Sequence, residues 1–134
     1  MKIAIVGSRG YRNLWKVVRV IDVLAEDDVV VSGGAHGVDE TAARAARGRG
    51  LEVVEHLAEW KKHGRRAGIL RNGLIVQEAD VVVAFWDGKS PGTASSIDIA
   101  RDLRRPHRTY LDDRTFDEED FRAWRSMFTL QART

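Results

Sequence analysis

The chain has 134 residues, 22 Lys and Arg against 20 Asp and Glu, and a formal net charge of +2, which fits one domain with its own core and gives no bulk-charge argument for nucleic-acid binding. It has no cysteine, which excludes a disulfide framework, a thiolate metal site and a thiol nucleophile. No apolar run approaches the roughly 20 residues that cross a bilayer, and the run at the N-terminus is too short for a signal peptide, so a soluble, reduced, cytoplasmic protein without a membrane partner is expected.

Lys2 to Val6 predicts a short buried strand closed by Gly7-Ser8-Arg9-Gly10. Leu14, Val17, Val18, Ile21, Leu24 and Ala25 then recur at three-and-four spacing and predict the inner face of a helix. Asp27-Asp28 ends it. Val29 to Val31 predicts a second strand, apolar at successive positions as suits a parallel sheet covered on both faces. The stretch Ser32-Gly33-Gly34-Ala35-His36-Gly37 is a turn. A helix from about Val38 to Arg47 follows, with Val38, Ala42, Ala45 and Ala46 inward and Gly48 and Gly50 as its stop. Leu51 to Val54 predicts a third strand.

Ala58 to Arg66 is polar, holds Trp60, Lys61, Lys62, His63, Arg65 and Arg66, and reads as a loop. A helix over Ala67 to Glu78 carries Ile69, Leu70, Leu74 and Ile75. Asp80 to Phe85 is the fourth strand and leads into a second glycine turn, Asp87 to Thr93. The next helix, Thr93 to Leu103, directs Ile97, Ala100 and Leu103 inward and stops at Pro106. Thr109 to Leu111 makes a short last strand. The acidic C-terminal part starts at about 112, and Asp117 caps a final helix with Phe121, Trp124 and Phe128 in line. That line reads as core rather than as a cofactor box. The same helix also offers an apolar side for a dimer.

Strands alternate with helices throughout. The expectation is an α/β, doubly wound, modified Rossmann fold: a mostly parallel five-stranded sheet in order 3-2-1-4-5 with helices on both faces. No linker or repeat divides the chain, so residues 1–134 are read as one domain.

In such a sheet the ligand sits at the carboxyl ends of the strands, where strand order reverses. Three glycine- and hydroxyl-rich turns meet there: Gly7-Ser8-Arg9, Ser32-Gly33-Gly34 and Ser90-Pro91-Gly92-Thr93. Each offers backbone N–H groups, and Arg9 offers a fork for a phosphate. The first turn does not spell G-x-G-x-x-G and no Walker lysine is present, which disfavours ordinary NAD dehydrogenases and P-loop ATPases. Eight Lys and Arg against three Glu lie between Arg44 and Arg71, and six acids with one Arg between Asp112 and Asp120. Two solvated faces explain this as well as an anionic ligand and an oligomer contact do. His36, His56, His63 and His107 are scattered, so no metal is expected.

GSR near the N-terminus, SGGAHGVDETAARAA, a tryptophan followed by Lys and Gly, AGILRN and a GT turn after an apolar strand together resemble the SLOG superfamily. That superfamily groups the DNA-processing protein DprA, the "lonely guy" (LOG) phosphoribohydrolases and many nucleotide-sensing domains. Within it the chain resembles the small stand-alone YspA-type branch, over about residues 1 to 105. The resemblance implies a nucleotide or nucleotide-derived ligand of the NAD, ADP-ribose or nucleoside phosphate type and no required cofactor. It places Gly7, Ser8 and Arg9 on one side of the pocket and Ser32, Gly33, Gly34, His36, Gly37 and Asp39 at its base. Arg71 and Asn72 match the RN pair, and Ser90, Gly92 and Thr93 fall in the GT turn. Trp60 either stacks on a base or ribose or anchors its loop. Asp39 either serves the helix dipole or stands as the candidate catalytic acid. His36 is explained as well by its tolerant turn as by a ligand.

LOG enzymes carry PGGxGTxxE with a catalytic glutamate. Here that position is Ser96, and a hydroxyl neither stabilises an oxocarbenium ion nor acts as a general base unaided. Asp98 lies two residues on, on another side of the helix. Activity would then need another acid, such as Asp39 or Asp87, to substitute. The leading expectation is a sensing or sequestering domain. The alternative is a LOG-like hydrolase of a nucleotide N-glycosidic bond or phosphate. The second alternative is DprA-like single-stranded nucleic-acid binding through Lys61, Lys62, Arg65 and Arg66. SLOG domains commonly pair, which implies a homodimer or higher homo-oligomer.

Overall fold

The computed structural model describes residues 1–132. In chain order the elements are β1 (Lys2–Gly7), α1 (Trp15–Val23), β2 (Val29–Ser32), α2 (Val38–Gly48), β3 (Glu52–Glu55), α3 (Trp60–His63), a 3₁₀ turn (Gly64–Arg66), α4 (Ala67–Glu78), β4 (Val81–Trp86), α5 (Pro91–Asp102), β5 (His107–Leu111) and α6 (Glu118–Ala132). The strands form one sheet in the order β3-β2-β1-β4-β5, and every pairing is parallel. This is the expected order, and the progression of strands reverses between β1 and β4.

Alternation along the strands divides the core into two layers. Ile3, Ile5, Val30, Val81, Val83 and Phe85 pack with α1, α2 and α6. Ala4, Val6, Val31, Val82 and Ala84 pack with Ile75, Val76 and Ala100 from α4 and α5. Large residues fill the first layer, while small ones let α4 and α5 sit close in the second. Phe121 and Trp124 of α6 are buried in the first layer, with Phe128 packed against it. The last helix thus spends Phe121 and Trp124 on the core, with Phe128 partly buried beside them.

Some details of the structure depart from the sequence reading or add to it. The polar stretch read as a loop is largely helical, as α3 and the 3₁₀ turn that feed α4. Ile69, Leu70 and Leu74 of α4 are exposed, and only Ala67, Ile75 and Val76 of that helix are buried. Leu103 is exposed and lies past the end of α5. The final helix starts at Glu118 rather than near 112, with Asp117 accepting the Glu119 and Asp120 amides as its cap. Asp112 is occupied elsewhere: its carboxylate accepts the backbone N–H groups of Arg12 and Asn13, 2.7 and 3.0 Å away.

That last contact matters for the site, because it fastens the segment after β1. Lys16, buried in α1, completes the fastening by donating to the carbonyls of Leu111, Asp112 and Arg114. The Gly7–Gly10 turn is therefore held from behind by β5 and its following turn. No helix of the described residues is long and apolar enough to cross a membrane.

Candidate functional site

The crevice beside the β1/β4 reversal is a cavity of about 330 Å³. Of the residues singled out from sequence, Gly7, Arg9, Asp39, Asn72, Ser90, Gly92 and Thr93 line it. Ser96 and Asp87 line it too, so the position that is glutamate in LOG enzymes does face this cavity, as a serine. A second hollow of about 210 Å³ shares Arg9 and Ala35 with the first and adds Gly33, Gly34, His36, Trp60 and Arg71. Ser8, Ser32 and Gly37 line neither. Val6, Gly10, Ala35 and Ile75 complete the main wall; sequence reasoning passed over them, though Gly10 and Ala35 lie in the turns it named.

Ser8 is buried and acts as a joint. Its hydroxyl meets Asp87 Oδ1 and Thr93 Oγ1, each at 3.2 Å. Asp87 Oδ1 also accepts the backbone N–H groups of Lys89 and Ser90. These amides, Ser90's foremost, hold the Asp87 carboxyl below the ordinary carboxylate range. The β1 turn and the β4 turn are thus stitched into one rim.

Arg71 and Asn72 form a second strap. Arg71 Nη1 donates to the Gly33 carbonyl at 2.8 Å, and its Nε donates to Asn72 Oδ1 at 3.1 Å. Asn72 Nδ2 donates in turn to the Gly92 carbonyl at 3.3 Å. The pair links the β2 turn to the start of α5 across the cavity. Gly33 has to lack a side chain here, since a Cβ would stand 2.6 Å from Arg71 Nη1. Gly7 is required for a similar reason: its Cβ would stand 2.5 Å from the Val38 side chain at the start of α2.

Gly33→Ala is accordingly expected to displace Arg71, a flexible side chain, rather than the backbone. Stability should fall by no more than about 1–2 kcal/mol, while the strap opens. Thermal melting and the exchange rate of the backbone amides around Gly92 will read the two effects separately.

The two helix starts that meet the cavity differ in charge. α2 brings its own anion. Asp39, buried in its first turn, accepts the Ala35 backbone N–H at 3.1 Å. Burial pushes its pKa up to about 6, while the amides of Ala35 and Gly33 and the Arg71 charge pull the other way. α5 has no acidic residue in its first turn, and the Ser90 side chain makes no capping hydrogen bond. Its first N–H groups, at Gly92 and Thr93, have no partner within the helix. Arg9 is exposed on the same wall, free of any hydrogen bond or ion pair among the described residues.

Trp60 starts α3 and is 54% exposed. His36 points outward, its side chain 93% exposed and paired with Glu40. Among the described residues no three His, Cys, Asp or Glu side chains gather at metal-holding distance.

Comparison with known proteins follows this geometry. Residues 1–63 match the model of the YspA, cpYpsA-related SLOG family. The Gene 61 protein of Mycobacterium phage D29 is 42% identical over 105 residues, 69% of this chain and 82% of that protein. Among solved structures, DNA processing protein A (DprA) of Streptococcus pneumoniae superposes with a TM-score of 0.74 at 20% identity, over 94% of this chain and 56% of that one. The chain therefore spans just over half of the Streptococcus protein. DNA processing protein A of Helicobacter pylori, whose structure was solved for its single-stranded DNA binding mode, gives 0.67 at 21% identity, over 94% and 73%. These two likenesses are likenesses of fold.

Proposed function

We propose that this chain, which belongs to the YspA, cpYpsA-related SLOG family, holds a nucleotide or nucleotide-derived ligand in the strand-end cavity as a sensing or sequestering domain. The observation that carries the reading is the contrast between the two helix starts. The first turn of α2 holds Asp39, whereas the first turn of α5 holds no acid and presents uncapped N–H groups beside Arg9, with the Asp87 carboxylate engaged outside it by the Ser90 N–H. A phosphate therefore belongs at Gly92 and Thr93, not at the Ser32-Gly33-Gly34 turn. Asp39 and Asp87 then face the sugar, as carboxylates suit ribose hydroxyls. Trp60 in the adjoining hollow offers its ring to a base. Ser96, in place of a glutamate, donates to the Gly92 carbonyl at 3.4 Å and supplies no acid–base chemistry, which supports holding over cleaving.

A hydrolase reading is favoured by one feature, the Asp39 carboxyl near pH 6 inside the cavity. A nucleic-acid reading is favoured by exposed Trp60 beside Lys61, Lys62, Arg65 and Arg66. One set of measurements separates the three. Calorimetric titration with AMP, NAD and ADP-ribose is expected to give binding without turnover in the product analysis. Arg9→Ala should weaken that binding by about 10- to 100-fold. Absence of binding to every phosphorylated nucleoside would overturn the reading, glycosidic or phosphate cleavage would replace it with the hydrolase, and salt-sensitive capture of a labelled oligonucleotide would replace it with the third.

A further inference from the structure

The main cavity has two neighbours. One is the hollow that holds Trp60 and shares Arg9 and Ala35 with it. The other is a third hollow of about 500 Å³, which shares Gly10 and Asp87 with the cavity. It adds Arg12, Asn13, Lys89, Asp112 and Asp113. No apolar or aromatic side chain lines it, so it offers no platform for a base. Asp112 is fixed in place: its Oδ2 accepts the Arg12 N–H, and its Oδ1 accepts the Asn13 N–H and Nδ2. The Arg12 and Lys89 side chains are exposed and make no hydrogen bond or ion pair among the described residues. Gly10 stands where cavity and hollow meet. Its φ is not positive, and a Cβ built there meets only Asp87 Oδ2, at an ordinary 3.7 Å. Neither the turn nor a close neighbour therefore calls for glycine at Gly10. A long side chain would stand in the passage between the two spaces.

Charge selects what enters this hollow. The carboxylates of Asp87, Asp112 and Asp113 outnumber the two cations. That excess disfavours a terminal phosphate, which carries nearly two charges. It suits sugar hydroxyls, which donate to carboxylate oxygens. A phosphate that links two groups carries a single charge, and Arg12 and Lys89 are free to meet it. We propose that the hollow beyond Gly10 is a second subsite, which takes the distal sugar of a ligand built from a nucleoside, two linked phosphates and a further sugar. The inference rests on the nucleotide reading and narrows it to one class of ligand. The base lies at Trp60 and the first phosphate at Gly92 and Thr93. The second phosphate crosses Gly10 toward Arg12 and Lys89, and the distal sugar donates to Asp112 and Asp113.

Calorimetric titration with AMP, ADP, ATP and ADP-ribose tests this assignment. ADP-ribose should bind about tenfold or more tighter than ADP, because the distal sugar adds hydrogen bonds to charged groups. It should also bind tighter than ATP. Gly10→Leu should bring the ratio of the ADP-ribose and ADP affinities down to about one, with thermal melting that of a folded chain. Lys89→Ala, which alters the hollow but not the main cavity, should cut the advantage of ADP-ribose over AMP by about threefold or more. ADP-ribose that binds no tighter than ADP overturns the inference and leaves the nucleotide reading standing. ATP that binds tighter than ADP-ribose does the same, since the hollow would then seat a phosphate. So does a preference that survives Gly10→Leu or is untouched by Lys89→Ala. Failure of all four compounds to bind overturns the inference together with the nucleotide reading.

Discussion

Asp28→Ala is expected to lower the free energy of unfolding by about 3–5 kcal/mol, the range for removing one partner of a buried ion pair. Asp28 follows α1 and is fully enclosed, with 0% side-chain exposure. Arg125 of α6 donates to both of its carboxylate oxygens through Nε and Nη2, at 2.7 to 3.1 Å. The Ala25 backbone N–H and the N-terminal ammonium also converge on it. Burial alone would raise the Asp28 pKa; the Arg125 hydrogen bonds and these further donors outweigh it and hold the carboxyl below its ordinary value. A depressed pKa in the fold means stability that is fully present above the unfolded value of about 3.9 and is lost as pH falls through the folded one. Urea unfolding at pH 7 should show the full loss in the alanine variant and a smaller one in Asp28→Asn, which keeps the shape. Below about pH 4 the gap to wild type should close. Amide exchange should quicken first in α6, because this pair ties that helix to the sheet. A loss under about 1 kcal/mol would mean that the pair behaves as a solvated one.

Asp28 also shows where sequence reading stops. Periodicity marked the strands, α1, α2 and the turns because the apolar pattern is local: Ile3 and Ile5 face one layer and Ala4 and Val6 the other whatever the rest of the chain does. The strand order followed from alternation of strands and helices. From there the cavity followed, since the reversal point of the sheet collects Gly7, Arg9, Asp39 and Gly92 by topology. Charged residues carry no such pattern. Asp28 reads as a helix breaker, and its partner lies 97 residues away. Lys16 reads as a surface lysine, yet it is buried under three carbonyls contributed by the end of β5 and the turn after it. On α4, Ile69, Leu70 and Leu74 are exposed, which an apolar stripe in the sequence does not reveal, because it does not say what covers it. Nor could sequence divide labour between Ser8 and Arg9. Adjacent residues in a turn point to opposite sides, and only the fold puts the serine inside against Asp87 and Thr93. The same holds for Arg71 and Asn72, whose contacts join two turns 59 residues apart in sequence, from Gly33 to Gly92.

Asp39→Asn is expected to move stability and binding in opposite directions. In the wild type the carboxyl is pushed up to about 6 from 3.8, chiefly by burial. For an acid, a pKa raised in the fold means that the folded state holds its proton more tightly than the unfolded state does. The cost is absent below about pH 4, grows as pH rises, and is fully present above about pH 6. The gap between these values corresponds to about 3 kcal/mol. Asn at this position carries no charge to desolvate, and its Oδ1 still accepts the Ala35 N–H. The variant should therefore be more stable than wild type at pH 7, by up to about 3 kcal/mol. The advantage should shrink as pH falls toward 4, because the wild type gains stability over that interval and the variant does not. Urea unfolding at pH 7, 5.5 and 4 reads both the sign and the slope. Binding of the same nucleotide probes should weaken, since an amide presents one acceptor oxygen to ribose hydroxyls where the carboxylate presents two. A residue that costs the fold stability at neutral pH while facing the cavity is a candidate for a role there. An Asp39→Asn protein that is less stable than wild type at pH 7 would refute the argument, because the favourable contacts of the charge at the α2 start would then outweigh the cost of burying it.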